Sequence, residues 1–146
     1  MIVRTGRSMP LLPIVMVIDD SMPDRFIADK IITRAGIAGI TLLKESARAA
    51  LEDLAAMKYE NEIPQLIFLD IRMPDMDGFD FLEQFETLPD LVRKKARVIM
   101  LSSSSYIEDR RQAEAYDFVV GFISKPLNEK NLLEYCDQLF PDKQKV

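Results

Sequence analysis

Histidine is absent from this 146-residue chain, and cysteine occurs once, at Cys136. The first absence removes imidazole general-base catalysis and histidine metal ligation from its chemistry. The second excludes an internal disulfide and suits a reducing compartment, so a cytoplasmic protein is expected. Long apolar runs are also missing: nothing approaches the roughly 20 residues of a membrane span, and no membrane insertion is expected. The opening stretch carries Arg4 and Arg7 but lacks the apolar core and cleavage site of a signal peptide. Basic residues are outnumbered, 19 Lys and Arg against 24 Asp and Glu, for a net charge of −5. That balance argues against a broad electrostatic footprint for nucleic acid.

What is present is enough for one core. Hydrophobic residues make up 48% of the chain, and its length suits a single domain. Residues 1–12 read as a short N-terminal extension, 13–141 as the folded domain and 142–146 as a tail. The most informative stretch is Gln65-Leu66-Ile67-Phe68-Leu69-Asp70, an apolar run too short for a helix that ends in a charge, as a buried strand does. Pro74, Asp75, Asp77 and Gly78 then force a turn. Similar runs at 14–18, 40–43, 98–101 and 121–124 predict four more strands. Helical spacing follows each strand. Phe26, Ile27, Ile31 and Ile32 mark a first helix ending at Gly36, and Ala47, Ala50, Leu51 and Leu54 a second reaching about Tyr59. Phe79, Leu82 and Phe85 mark a third, interrupted near Pro89-Asp90. A fourth is expected from Tyr106 to about Tyr116, and a last, carrying Leu132, Leu133, Cys136, Leu139 and Phe140, from about Asn128. Five β/α repeats predict an α/β fold: a doubly wound (βα)5 parallel sheet of flavodoxin-like order 2-1-3-4-5.

Parallel strands put their carboxyl ends on one rim, where ligands bind in open α/β sheets. The residues there are Asp19 and Asp20 on the first strand, Asp70 on the third, Ser102 on the fourth and Lys125 on the fifth. Three converging carboxylates repel one another unless a cation intervenes, and Mg2+ suits an all-oxygen set. Lys125 offers a point charge for a phosphate oxygen, and Ser102 a hydroxyl. The set fits transfer of a phosphoryl group to a carboxylate.

In these pieces, Val17-Ile18-Asp19-Asp20, Phe68-Leu69-Asp70 with Met73-Pro74-Asp75-Met76-Asp77-Gly78, Ile99-Met100-Leu101-Ser102 and Phe122-Ile123-Ser124-Lys125-Pro126, the chain resembles a response-regulator receiver domain of two-component signalling, close to the single-domain chemotaxis type. The resemblance spans residues 14–140. It implies that Asp70 is the phosphoacceptor, that Asp19, Asp20, Asp70 and the backbone carbonyl of Arg72 bind Mg2+, and that Lys125 pairs with Asp70 or its phosphate. Ser102 matches the switch hydroxyl and Phe122 the switch aromatic. Arg72 and Ser104 take the two positions that tune hydrolysis; Arg72 is expected to lie over the phosphoryl group and obstruct water, the alternative being a pairing with an acid of residues 75–80. The Lys125-Pro126 peptide is often cis in such proteins. Implied partners are a histidine kinase or histidine phosphotransfer protein as donor and a downstream target protein, with no direct nucleic-acid contact.

Three other functions compete. A phosphorylation-independent interaction module would need a broken site, and this one is intact in sequence. A relay intermediate would pass the phosphoryl group onward. An aspartyl-phosphate phosphatase of the haloacid-dehalogenase type would place a second Asp two residues after the nucleophile, where this chain has Arg72, and would carry a cap that these residues leave no room for. A signalling phosphoacceptor, supporting only its own phosphorylation and slow dephosphorylation, is expected rather than an enzyme. No output domain is expected after the last helix.

Overall fold

The computed structural model describes residues 11–103 and 107–141. Five strands form one parallel sheet: β1 (Leu12–Ile18), β2 (Ala38–Lys44), β3 (Leu66–Asp70), β4 (Arg97–Ser102) and β5 (Val119–Ser124), in the order β2-β1-β3-β4-β5. Six helices connect and cover them: α1 (Met22–Ala35), α2 (Ala47–Ala56), α3 (Gly78–Phe85), α4 (Asp90–Lys95), α5 (Ile107–Glu114) and α6 (Glu129–Leu139). The expected sheet order and the five β/α units are both present.

Both faces of the sheet are buried, so its central strands read as unbroken apolar runs. Alternate residues serve opposite cores. Val15, Val17, Leu66, Phe68, Ile99 and Leu101 pack with Ala28, Ile32 and Ala35 of α1 and Leu132 and Cys136 of α6. Met16, Ile18, Ile67, Leu69, Val98 and Met100 pack with α2, α3 and α4, and with Ala113 of α5. Burial of this kind gives roughly 25 cal/mol per Å2 of apolar surface.

Several element ends depart from the sequence reading. The first strand begins at Leu12, not Ile14, and Leu11 and Leu12 are buried. Pro13 is tolerated because β3 starts pairing with β1 only at Val15. In α1 the inward stripe is Ala28, Ile32 and Ala35; Phe26 is 60% exposed and Ile27 46%. Ile32, flanked by small residues, therefore seats this helix on the sheet, while Phe26 and Ile27, which the periodicity also favoured, face out, with the Lys30 ammonium 5.2 Å from the Phe26 ring centre. Helix α2 ends at Ala56, ahead of a short 3-10 turn at Glu60–Glu62. Phe81 is fully buried in α3 and Phe79 only partly. The expected break near Pro89-Asp90 is present: α3 ends at Phe85, and Pro89 also caps the start of α4, since a proline lacks only an amide that a helix start leaves unbonded.

One contact shapes the outer edge. Gly121 of β5 has the Tyr135 ring against it; a Cβ there would meet that ring at 2.4 Å. The Tyr135 hydroxyl accepts from the Phe122 amide at 3.2 Å and donates to the Phe122 carbonyl at 2.9 Å. Both backbone groups of this edge-strand residue are thus satisfied from α6.

Candidate functional site

The carboxyl ends of β1, β3 and β5 meet at one rim. Asp19 directly follows β1, and its amide donates to the Lys44 carbonyl of β2 at 3.0 Å. Its Oδ1 accepts from the Ser21 amide at 2.9 Å, and its carbonyl accepts from the Arg25 guanidinium at 2.8 Å. The strand's last turn and the start of α1 therefore fix this carboxylate, which is 1% exposed. Asp70 ends β3 and is 5% exposed. One oxygen each from Asp19, Asp20 and Asp70 lies within 4.8 Å of the others, while Asp20 itself is exposed. Oxygen donors at that spacing, on rigid strand ends, fit a small hard cation.

Lys125 follows β5 and reaches into this group. Its Nζ stands 2.8 Å from Asp19 Oδ2, 2.8 Å from Asp24 Oδ2 and 3.1 Å from Asp70 Oδ1. Its amide donates to the Ser102 carbonyl at 2.7 Å, and the Lys125-Pro126 peptide is cis. Burial disfavours charge on both partners but is answered differently. Asp70 is pushed up to about 6 by desolvation and by the neighbouring Asp19 charge, with Lys125 only partly offsetting this. For Lys125, burial pulls downward, but the hydrogen bonds to Asp19 and Asp24 and the Asp70 charge outweigh it and hold the ammonium charged well above its ordinary range.

Ser102 is buried at the end of β4, opposite Ser124 in the register. Phe122 lies beside Met100 in that register, half-buried against the core under α2 to α5, with the Arg110 guanidinium 5.3 Å from its ring centre. The turn after Asp70 is closed by the Gly78 amide donating to the Ile71 carbonyl at 2.8 Å. A Cβ on Gly78 would meet the Asp70 carbonyl oxygen at 2.8 Å and the Ile71 Cα at 2.9 Å, so the backbone carrying Asp70 needs glycine there.

Asp19, Asp20, Asp70 and Lys125 are thus brought together. Arg72, expected to lie over Asp70 or else to pair within residues 75–80, does neither. Its guanidinium bonds Asp109 Oδ2 of α5 at 2.7 Å, because Asp109 is buried to 7% exposure and offers a poorly hydrated carboxylate. Ser104 lies outside the described residues. Sequence reasoning missed Asp24 and Asp109. Each looks like an ordinary first-turn helix acid, and only tertiary contact distinguishes it. A cleft of about 330 Å3 opens beside the site between α1 and the start of α6, lined by Asp19, Asp24, Ile27, Lys125, Pro126 and Leu127 among others.

A doubly wound parallel sheet with an acidic, lysine-bearing rim at its switch point defines a ligand-binding α/β protein. Residues 15–137 match the family model described as response regulator receiver domain. The chain belongs to that family and is a receiver domain of two-component signalling. It is 29% identical over 123 residues to the chemotaxis protein CheY of Bacillus subtilis, covering 82% of this chain and 91% of that protein. It is 34% identical over 113 residues to a protein-glutamate methylesterase/protein-glutamine glutaminase of Archaeoglobus fulgidus, but spans only 29% of that protein's length. A receiver protein of Dyadobacter fermentans superposes with a TM-score of 0.77 at 33% identity, covering 87% of this chain and 97% of that one. No described helix is long and apolar enough to cross a membrane.

Proposed function

We propose that this receiver domain is a phosphoacceptor switch in which Asp70 takes the phosphoryl group. The observation that carries this is the convergence of three carboxylates within 4.8 Å, one of them, Asp70, in a 3.1 Å ion pair with Lys125. The donor is a phosphohistidine on a histidine kinase or histidine phosphotransfer protein; this chain has no histidine of its own. An Asp70 oxygen forms the new bond to phosphorus as the phosphorus–nitrogen bond breaks, and the bonding pair leaves with the imidazole. Asp19, Asp20, Asp70 and the Arg72 carbonyl would hold Mg2+, which when bound supplies charge neutralisation on the transferring oxygens. Lys125 provides a second positive charge from the protein itself. Ser102 and Phe122 belong to the register between β4 and β5, and we assign them the readout that alters affinity for a target protein in the cytoplasm.

The phosphatase alternative loses ground because Arg72 occupies the place of its general acid and turns toward Asp109. Incubation with acetyl phosphate and Mg2+, followed by intact-mass measurement, tests the assignment. The native chain should gain one phosphoryl group and the Asp70→Asn variant none. Equal uptake by both would place the acceptor elsewhere.

A further inference from the structure

Asp24 stands where a helix-start acid ordinarily stands, three residues after the N-cap Ser21, whose Oγ accepts the Asp24 amide at 3.3 Å. A carboxylate there commonly turns back to the N-cap amide and completes a reciprocal pair. Helix α3 of this same chain does so: Asp80 accepts from the Asp77 amide at 3.0 Å while Asp77 accepts from the Asp80 amide at 2.9 Å. In α1 the pair is left open. The Ser21 amide goes to Asp19, and the Asp24 carboxylate reaches across to Lys125 at 2.8 Å.

An ammonium has three N–H donors, and Lys125 has three carboxylates about it. Their situations differ. Asp70 and Asp19 both belong to the acidic cluster, and Asp24 does not. When a cation draws on Asp19, Asp24 remains as a lysine acceptor outside the metal's reach. A lysine is a point charge on a flexible stem, so its aim depends on what holds it.

We infer that Asp24 is a positioning residue: it holds one N–H of Lys125 so that another stays aimed at Asp70 and at the phosphoryl oxygen arriving there. The inference rests on Asp70 being the phosphoacceptor. Fixing the ammonium before the reaction removes reorganisation from the transfer step. Asp24 also adds a negative charge at the mouth of the cleft, which repels an anionic donor. Its loss should therefore reduce the maximal rate without weakening donor binding.

Asp24→Asn keeps the size of the side chain and removes its charge. With acetyl phosphate as donor and Mg2+ present, phosphoryl uptake at saturating donor should fall about tenfold, the order of one hydrogen bond to a charged group. The donor concentration giving half the maximal rate should stay the same or fall. Mg2+ affinity, measured by calorimetry without donor, should change less than about twofold, as Asp24 lies outside the metal cluster. A readout free of activity is the side-chain ammonium resonance of Lys125 in 15N-labelled protein. Three acceptors slow its exchange with water, so it should be visible in the native chain and broaden or vanish in Asp24→Asn. An unchanged rate, an unchanged resonance, or no slowly exchanging resonance in the native chain would overturn the inference. A loss of Mg2+ affinity equal to the loss of rate would overturn it too, because Asp24 would then act on the cation. Failure of the native chain to take up phosphate would refute the phosphoacceptor reading instead, and the Lys125 resonance would still decide whether the clamp exists.

Discussion

At the scale of single residues, Asp70 is held in a form its own environment resists. Its carboxyl is pushed up to about 6, from 3.8, chiefly by burial and by Asp19. Asp70→Asn removes that charge without changing the shape of the side chain. In metal-free protein well above pH 6, the variant should be the more stable of the two by on the order of 2–3 kcal/mol, read from the denaturant midpoint at constant m-value. A variant less stable than the native chain would show that Asp70 is well accommodated as an anion. Gly78 makes the opposite case, a residue with no side chain on which the site depends. Gly78→Ala forces a methyl group onto the Asp70 carbonyl and Ile71 Cα, neither of which can rotate away. It should cost about 1–3 kcal/mol, as overpacking does, and weaken Mg2+ binding through displacement of Asp70. Native stability with native Mg2+ affinity would contradict this.

At the scale of elements, the ion pair between Arg72 and Asp109 ties the turn after β3 to α5. Asp109 is adjacent to Arg110, whose guanidinium lies near the Phe122 ring, so three segments around the acidic rim meet through two neighbouring residues of one helix. Asp109→Asn should free the Arg72 guanidinium, at a stability cost of about 1 kcal/mol for a partly exposed pair. Arg72 can then swing toward a phosphoryl group on Asp70 and shield it from water, and the aspartyl phosphate should decay about two- to fivefold more slowly, a modest change in barrier. Decay at the native rate would mean that Arg72 does not reach the phosphoryl group even when released. The elements themselves were unequally legible in the sequence. The central strands were readable because burial on both faces leaves an apolar run closed by a charge, as in Phe68-Leu69-Asp70. Helix α1 was readable as a helix but not by its inner face, since Ala28 and Ala35 carry little hydrophobic signal and the exposed Phe26 and Ile27 carry much. Pro89 was readable as a break but not as the start of α4, because a proline marks both. Asp19, Asp20, Asp70 and Lys125 stand out because a charge ends each apolar strand. Asp24 and Asp109 do not, because a helix's first turn takes an acid in either case.

At the scale of the whole molecule, the acidic rim should make stability depend on pH and, if it holds the proposed Mg2+, on the cation as well. Between 3.8 and about 6 the folded chain binds the Asp70 proton more tightly than the unfolded chain does. The stability this proton confers is complete at lower pH and is lost as pH rises through the upper value. A divalent cation offsets the charge that remains. Mg2+ should therefore raise the unfolding midpoint more at about pH 7.5 than at about pH 5, where a protonated Asp70 is a poor ligand. Removal of Asp19 or Asp20 should shrink the effect, and a Mg2+ shift independent of pH would separate Asp70 from the cation. A different consequence comes from the phenol of Tyr135. The β5 side of the sheet is a margin at which another chain's backbone could dock and extend it. Tyr135 has already taken the hydrogen-bonding groups of Phe122, occupying that docking position from within the chain. Any protein that reads Phe122 must then do so by side-chain contact and not by β-augmentation. Tyr135→Phe reopens the margin while keeping the ring against Gly121, and it should increase concentration-dependent self-association, followed by sedimentation, without altering phosphoryl uptake.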